Sequence, residues 1–194
     1  MPNKLTISRF VLTAAFLGAL YSHLPFKETI ALFVFSAASL TDYFDGKIAR
    51  RDKLITNFGI LMDPLADKIL ICSAFIAFVE LKQMEAWMVV IIVARELAIT
   101  GLRLLAASKN VVLAAEGYGK HKTISQIVAI LAVLVFMSYT QWGVFGETVV
   151  GFTLFDRPWI VWVAEISKWV AVGLTFISGF LYLWKNRRLY LDDL

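Results

Sequence analysis

A single cysteine, Cys72, stands in 194 residues and lies in an apolar run. No disulfide framework and no thiolate metal site can form within one chain, and core packing is its expected role. Charge is equally scarce: Asp, Glu, Lys and Arg make up 18% of the sequence, too little polar side chain to clothe a soluble domain. No Pro/Gly/Ser-rich linker and no low-complexity stretch divides the chain, so one domain over residues 1–194 is expected. No internal repeat of useful strength is visible, which argues against an inverted-repeat transporter. The first apolar run follows Lys4 and Arg9 without an A-x-A-like cleavage site, so it is expected to remain as a helix. Only two histidines occur. His121 reads as a surface residue, and His23 falls at the other end of the bundle from the acids discussed below.

Apolar side chain fills that space: 59% of residues are hydrophobic and the mean hydropathy is +0.73. A hydrocarbon core of about 30 Å takes roughly 17–25 helical residues to cross. Windows of that kind occur near 5–22, 29–48, 65–81, 86–107, 123–139 and 159–184. The expected fold is therefore all-α, an integral membrane bundle of six transmembrane helices, with its longest breaks at 51–60, 108–122 and 141–158. Alternate threading puts Lys4, Arg9, Lys47, Arg50, Arg51, Lys53, Lys109, Lys120, Lys122, Lys185, Arg187 and Arg188 on one side. Only Lys27, Lys82 and Arg157 fall on the other. That imbalance predicts a multi-pass protein of the cell membrane with both termini and the acidic site in the cytoplasm. Trp87, Trp142, Trp159 and Trp162 then sit near the outer interface and Trp184 near the inner one. The net charge of +4 is accounted for by helix-end cations and anionic headgroups, so no nucleic-acid partner is expected. Membrane lipids are the expected surroundings, and a homodimer is left open.

Against this background the stretch DYFDGKIARRDKLITNFGILMDPLADK stands out. Asp42 and Asp45 are spaced i,i+3, and Asp63 and Asp67 i,i+4, so each pair shares one face of a helix. Four carboxylates at the edge of a low-dielectric medium repel one another, and one charge at a helix centre already costs on the order of 2.5–3.5 kcal/mol. All-oxygen ligands suit hard divalent cations, and two Mg²⁺ or Mn²⁺ would cancel the charge while serving phosphoryl chemistry.

The pattern Asp42-x-x-Asp45-Gly46-x-x-Ala49-Arg50, eight residues, then Gly59-x-x-x-Asp63-x-x-x-Asp67 resembles the signature of the CDP-alcohol phosphotransferase family at every defined position. The resemblance implies a metal-dependent bundle of six membrane helices in which an alcohol displaces CMP from a CDP-linked donor. It implies that Asp42, Asp45 and Asp63 ligate two divalent cations, with Asp67 completing the site and acting as general base. Gly46 and Ala49, with Gly59, would leave room for the donor nucleotide, and a side chain at Gly46 would obstruct a ligand approaching the backbone. Arg50 pairs with either an acid or a phosphate. Asn3, Thr6 and Arg9 in PNKLTISR resemble the family's N-terminal pattern near the nucleotide, although Asn3 equally suits an ordinary helix N-cap.

The acceptor is read from the remaining cations. Arg95, Glu96 and Arg103 interrupt the apolar run VVIIVARELAITGLRLLAA, and Lys120 and Lys122 open the next helix in YGKHKTISQ. Buried cations and a helix N-terminus suit a phosphorylated acceptor, whereas a choline-like one would want aromatic or acidic surroundings. GKHKT is not a P-loop, because His121 follows Lys120 where Ser or Thr is needed. VARE and GKxKTxxQ resemble the branch of the family that makes phosphatidylglycerophosphate. The expected reaction is transfer of the phosphatidyl group from CDP-diacylglycerol to glycerol 3-phosphate, with Arg95, Arg103, Lys120 and Lys122 on the acceptor phosphate. Two alternatives stand beside it: a transferase for another phosphorylated acceptor such as inositol phosphate, and a divalent-cation transporter. In the bland reading, Arg95 pairs with Glu96 or an aspartate, and Lys120 and Lys122 only anchor the helix end.

Overall fold

The computed structural model describes the backbone of residues 2–52, 57–109, 111, 118–187 and 189. Side chains are described for 7–41, 68–109, 111, 121–187 and 189. Six long helices account for most of it: α1 (Pro2–Tyr21), α2 (Lys27–Asp52), α3 (Asn57–Glu80), α4 (Ala86–Ser108), α5 (Tyr118–Ser138) and, after the single turn α6 (Gly143–Phe145), α7 (Trp159–Lys185). Each lies over one of the six apolar windows. The helices outrun the windows where hydropathy falls but helix propensity does not. KIARRD continues α2 to Asp52, and α3 begins at Asn57, so helix covers the expected break at 51–60 except for residues 53–56, which lie outside the described ones. Pro64 lies inside α3 without ending it. Having no N–H, it deprives the Ile60 carbonyl of its helical partner, a defect that membrane helices tolerate. Likewise the helix after the 108–122 break starts early, at Tyr118.

Contacts between the long helices trace a closed circuit, α1–α2–α5–α7–α4–α3 and back to α1, with α3 also touching α5 across the interior. The connection 22–26 and the turn 81–85 are short, so the helices they join run antiparallel. The core follows from this circuit. Phe16 of α1 and Phe35 of α2 meet with ring centroids 5.6 Å apart, and Phe75, Phe78, Ile92, Ile130 and Leu134 fill the space beside them. A smaller cluster of Ile99, Leu102 and Tyr182 seals α4 against α7.

The turn after α3 is closed by its backbone. Lys82 adopts φ 57°, its N–H donates to the Val79 carbonyl at 3.0 Å, and the Gln83 N–H donates to the Phe78 carbonyl at 2.8 Å. This is a Schellman motif with lysine where glycine is usual. The buried ammonium of Lys168 on α7 donates to the Gln83 carbonyl at 2.8 Å and to Glu165 at 2.6 Å, tying α7 to that turn. The connection between α5 and α7 carries a two-residue hairpin, with strand β1 (Thr153–Leu154) antiparallel to β2 (Arg157–Pro158).

Two stretches among the described residues, His121–Val150 and Trp159–Lys185, are long and apolar enough to cross a membrane, and only about a third of each window is buried inside the protein. α4 has the length, but Arg95, Glu96 and Arg103 interrupt its apolar run.

Candidate active site

The helical backbone runs unbroken through Asp42 and Asp45 on α2 and through Asp63 and Asp67 on α3. The expected face-sharing within each pair therefore stands at the backbone level. Asp42 lies ten residues, about 15 Å of rise, before the end of α2, and Asp67 ten residues after the start of α3. Both α2 and α3 pack on α1, the helix that begins with Asn3 and Thr6. The side chains of Asn3, Thr6, Asp42, Asp45, Gly46, Ala49, Arg50, Gly59, Asp63, Asp67 and Lys120 lie outside the described ones. Among the described residues no group of three His, Cys, Asp or Glu gathers as a metal site. The metals that the signature implies must be judged by donor chemistry, and four carboxylates on two helices are the hard oxygen set that Mg²⁺ or Mn²⁺ takes.

Two described cations, Arg95 of α4 and Lys122 of α5, meet on one carboxylate. Glu96 is 4% exposed, as is Lys122. The Lys122 ammonium donates to Glu96 Oε1, and Arg95 Nη1 donates to the same oxygen at 3.3 Å. This pairing crosses the interior from α5 to α4. From α3, the Lys68 ammonium donates to the Thr100 hydroxyl, which in turn donates to the Glu96 carbonyl at 2.7 Å. Among the described side chains, three cations thus gather near one acid at this junction of α3, α4 and α5. The Arg95 Nε is buried and has no hydrogen-bond partner among the described residues. A buried donor of this kind is costly to leave unmet, and an anion would satisfy it.

One turn further along α5, Gln126 Nε2 donates to the Thr175 hydroxyl of α7 at 3.0 Å, and both residues are fully enclosed. α7 also shapes the arginine. A Cβ built on Gly179 would fall 2.7 Å from Arg95 Cγ, in the middle of its stem. Gly179 is thus the space in which Arg95 lies. Gly179→Ala is expected to lower unfolding free energy by about 1–3 kcal/mol through overpacking. Gly173→Ala, on the same helix with open space around it, is expected to be neutral or slightly stabilising. Denaturant titration of the two variants in detergent measures the contrast.

Arg103 stands apart from this cluster. It is exposed, its Nε donates to the Tyr182 hydroxyl at 3.4 Å, and its guanidinium lies 5.7 Å from the Tyr182 ring centre. Of the four expected acceptor cations, the structure brings Arg95 and Lys122 together. It sets Arg103 against α7, and Lys120 lies outside the described side chains. Three participants were missed in the sequence: Lys68, Thr100 and Gly179. Gly179 carried no signal, since only the crossing of α7 over α4 gives it meaning.

The chain matches the family described as CDP-alcohol phosphatidyltransferase over residues 1–177. It is 36% identical, over an alignment of 198 residues covering 96% of this chain and 94% of the relative, to a protein of Bacillus subtilis (strain 168) named CDP-diacylglycerol–glycerol-3-phosphate 3-phosphatidyltransferase. A protein of the same name from Rickettsia bellii (strain RML369-C) is 33% identical, covering 94% of this chain and 92% of its own length. A probable phosphatidylglycerophosphate synthase of Mycobacterium tuberculosis (strain ATCC 25618 / H37Rv) is 41% identical over 133 residues, 67% of this chain and 63% of that protein. With a near-complete family match and relatives aligned along almost their whole length, the chain belongs to the CDP-alcohol phosphatidyltransferase family.

Proposed function

We propose that the protein transfers the phosphatidyl group of CDP-diacylglycerol to glycerol 3-phosphate, giving phosphatidylglycerophosphate and CMP. The observation that carries this reading is the buried Arg95 Nε, which has no hydrogen-bond partner among the described residues, beside Lys122 on Glu96. A phosphorylated acceptor would supply an acceptor oxygen there, and the relatives that match along nearly their full length bear the corresponding name. The transporter alternative finds no counterpart among these relatives.

Asp42, Asp45, Asp63 and Asp67 would hold two divalent cations, which when bound neutralise the donor pyrophosphate and stabilise departing CMP. Asn3, Thr6, Gly46, Ala49, Arg50 and Gly59 line the nucleotide side. Arg95 and Lys122 grip the acceptor phosphate, with Arg103 and Lys120 as further cations for it, while Glu96 holds the first two in place. Asp67 takes the proton from the free primary hydroxyl of the acceptor. That oxygen then bonds to the phosphorus bearing diacylglycerol as the bond from this phosphorus to the CMP oxygen breaks. All six long helices cross the bilayer in this reading, with the aspartates toward the cytoplasm.

The function is tested by CMP release from CDP-diacylglycerol with a panel of acceptors. Release with glycerol 3-phosphate and not with inositol phosphate or inositol is expected, and the reverse preference would overturn the assignment. Lys122→Met should raise KM for glycerol 3-phosphate and leave that for CDP-diacylglycerol nearly unchanged. A charge-assisted contact to phosphate is worth about 1.5–3 kcal/mol, which corresponds to a loss in kcat/KM of about 10- to 150-fold. Orientation is checked by a membrane-impermeant thiol reagent on Ser108→Cys in a Cys72→Ala background. Labelling only after the cytoplasmic face is opened is the expected result.

A further inference from the structure

The connection from Tyr139 to Pro158 is long, poor in charge and largely exposed. Its twenty residues include only three charged ones, Glu147, Asp156 and Arg157. Val144, Phe145, Phe152 and Phe155 are 76%, 63%, 63% and 81% exposed. Phe155 is the tip of the hairpin. It has φ 51° and Asp156 has φ 66°, the pair of positive values that a two-residue type I′ turn requires. Aspartate visits that conformation readily; phenylalanine does not. The strained turn thus holds a large apolar ring outward from the described residues.

Several backbone groups of this segment are satisfied from within. The Gly151 N–H donates to the Gly146 carbonyl at 2.7 Å, and the Trp159 N–H to the Phe152 carbonyl at 3.0 Å. Two indoles complete the arrangement: Trp159 Nε1 donates to the Val149 carbonyl at 3.0 Å and Trp162 Nε1 to the Leu154 carbonyl at 3.1 Å. Backbone satisfied from within and apolar side chains turned outward is the arrangement required in a medium that cannot hydrogen-bond. The segment continues directly from the apolar stretch His121–Val150 and leads into Trp159–Lys185, the two long enough to cross a membrane and mostly uncovered by protein.

We infer that the hairpin is a lipid-seated wedge, which lies in the headgroup and acyl-chain boundary at the end of the bundle remote from the aspartates, with Phe155, Phe152 and Phe145 in the acyl region. Asp156 and Arg157 reach the headgroups, while Trp159 and Trp162 act as interfacial anchors at its base. The partner is the lipid surface itself. This inference is independent of the reaction proposed above, since it uses none of the residues placed in the site.

The test uses the full chain in phosphatidylcholine vesicles, with Cys72→Ala and one new thiol at Phe155→Cys carrying an environment-sensitive fluorophore. Brominated acyl chains should quench the probe strongly and aqueous iodide weakly. The same probe at Ser108→Cys, an exposed residue at the opposite end, should show the reverse. Labels at Phe152→Cys and Val144→Cys report on the same surface if the tip variant fails to assemble. Quenching by iodide alone would overturn the inference by placing the hairpin in water. Quenching by neither agent would overturn it in favour of a second copy of the chain covering the patch.

Discussion

Glu96→Gln is expected to destabilise the protein by about 3–5 kcal/mol, the usual cost of removing one partner from a buried ion pair. Neutral hydrogen bonds between membrane helices average only about 0.6 kcal/mol, so charge decides the magnitude here. With the Glu96 charge gone, Lys122 and Arg95 are two enclosed cations whose shared acceptor is a neutral amide oxygen. Lys122→Met in the same chain should recover most of the loss, because it removes the uncompensated charge and keeps an unbranched stem of similar reach. Denaturant titration of the wild type, the two single variants and the double variant measures the coupling directly. A Glu96→Gln cost under about 1 kcal/mol, the range of exposed pairs, would mean that another acid holds Lys122.

The aspartates should behave in the opposite way, losing activity without losing the fold. Asp42→Asn, Asp45→Asn and Asp63→Asn are each expected to cut CMP release by at least about 10²-fold, the usual scale for removing one element of electrostatic stabilisation. Each substitution removes a charge from a mutually repelling group, so unfolding in detergent should be unchanged or shifted upward. Asp67→Asn should lose turnover to a similar degree while CDP-diacylglycerol binding is largely kept, since it removes a base more than a ligand. Steady-state CMP release and donor binding, measured side by side, separate the two roles. CMP release that survives chelation of divalent cations would sink the metal assignment for all four.

Helix number was legible from hydropathy because six apolar runs needed six helices, and their centres fell where expected. Helix ends were less legible. Hydropathy marks where hydrocarbon ends, while KIARRD and NFGILM remain good helix sequence beyond that point, and Pro64 mimicked a boundary that the helix passes through. The aspartates could be read because i,i+3 and i,i+4 spacing is a local property of one helix. The cation cluster was only half legible. Arg95 and Lys122 announced themselves as charges in apolar surroundings, but Lys122 meets Glu96 across two helices, 26 residues away in the chain. The bland pairing of Arg95 with its neighbour Glu96 is also present, and it leaves the Arg95 Nε without a partner among the described residues. Arg103, two turns along the same helix, looked equivalent in sequence and lies instead against Tyr182.

The ion cluster also sets an order of assembly. α4 is synthesised before α5, so Glu96 first has the adjacent Arg95 and Lys68 of α3 beside it, and Lys122 arrives one helix later. Until then α4 carries Arg103 as well, and in the proposed six-span topology it would be a metastable span retained by its neighbours and not by its own hydrophobicity. Emergence of α5 locks the preceding helix in place through Lys122. α7 closes the ring last, bringing Thr175 to Gln126 and Gly179 to the stem of Arg95. A ribosome stalled before α7 would therefore leave a chain with its counter-charges paired but its arginine still free to swing.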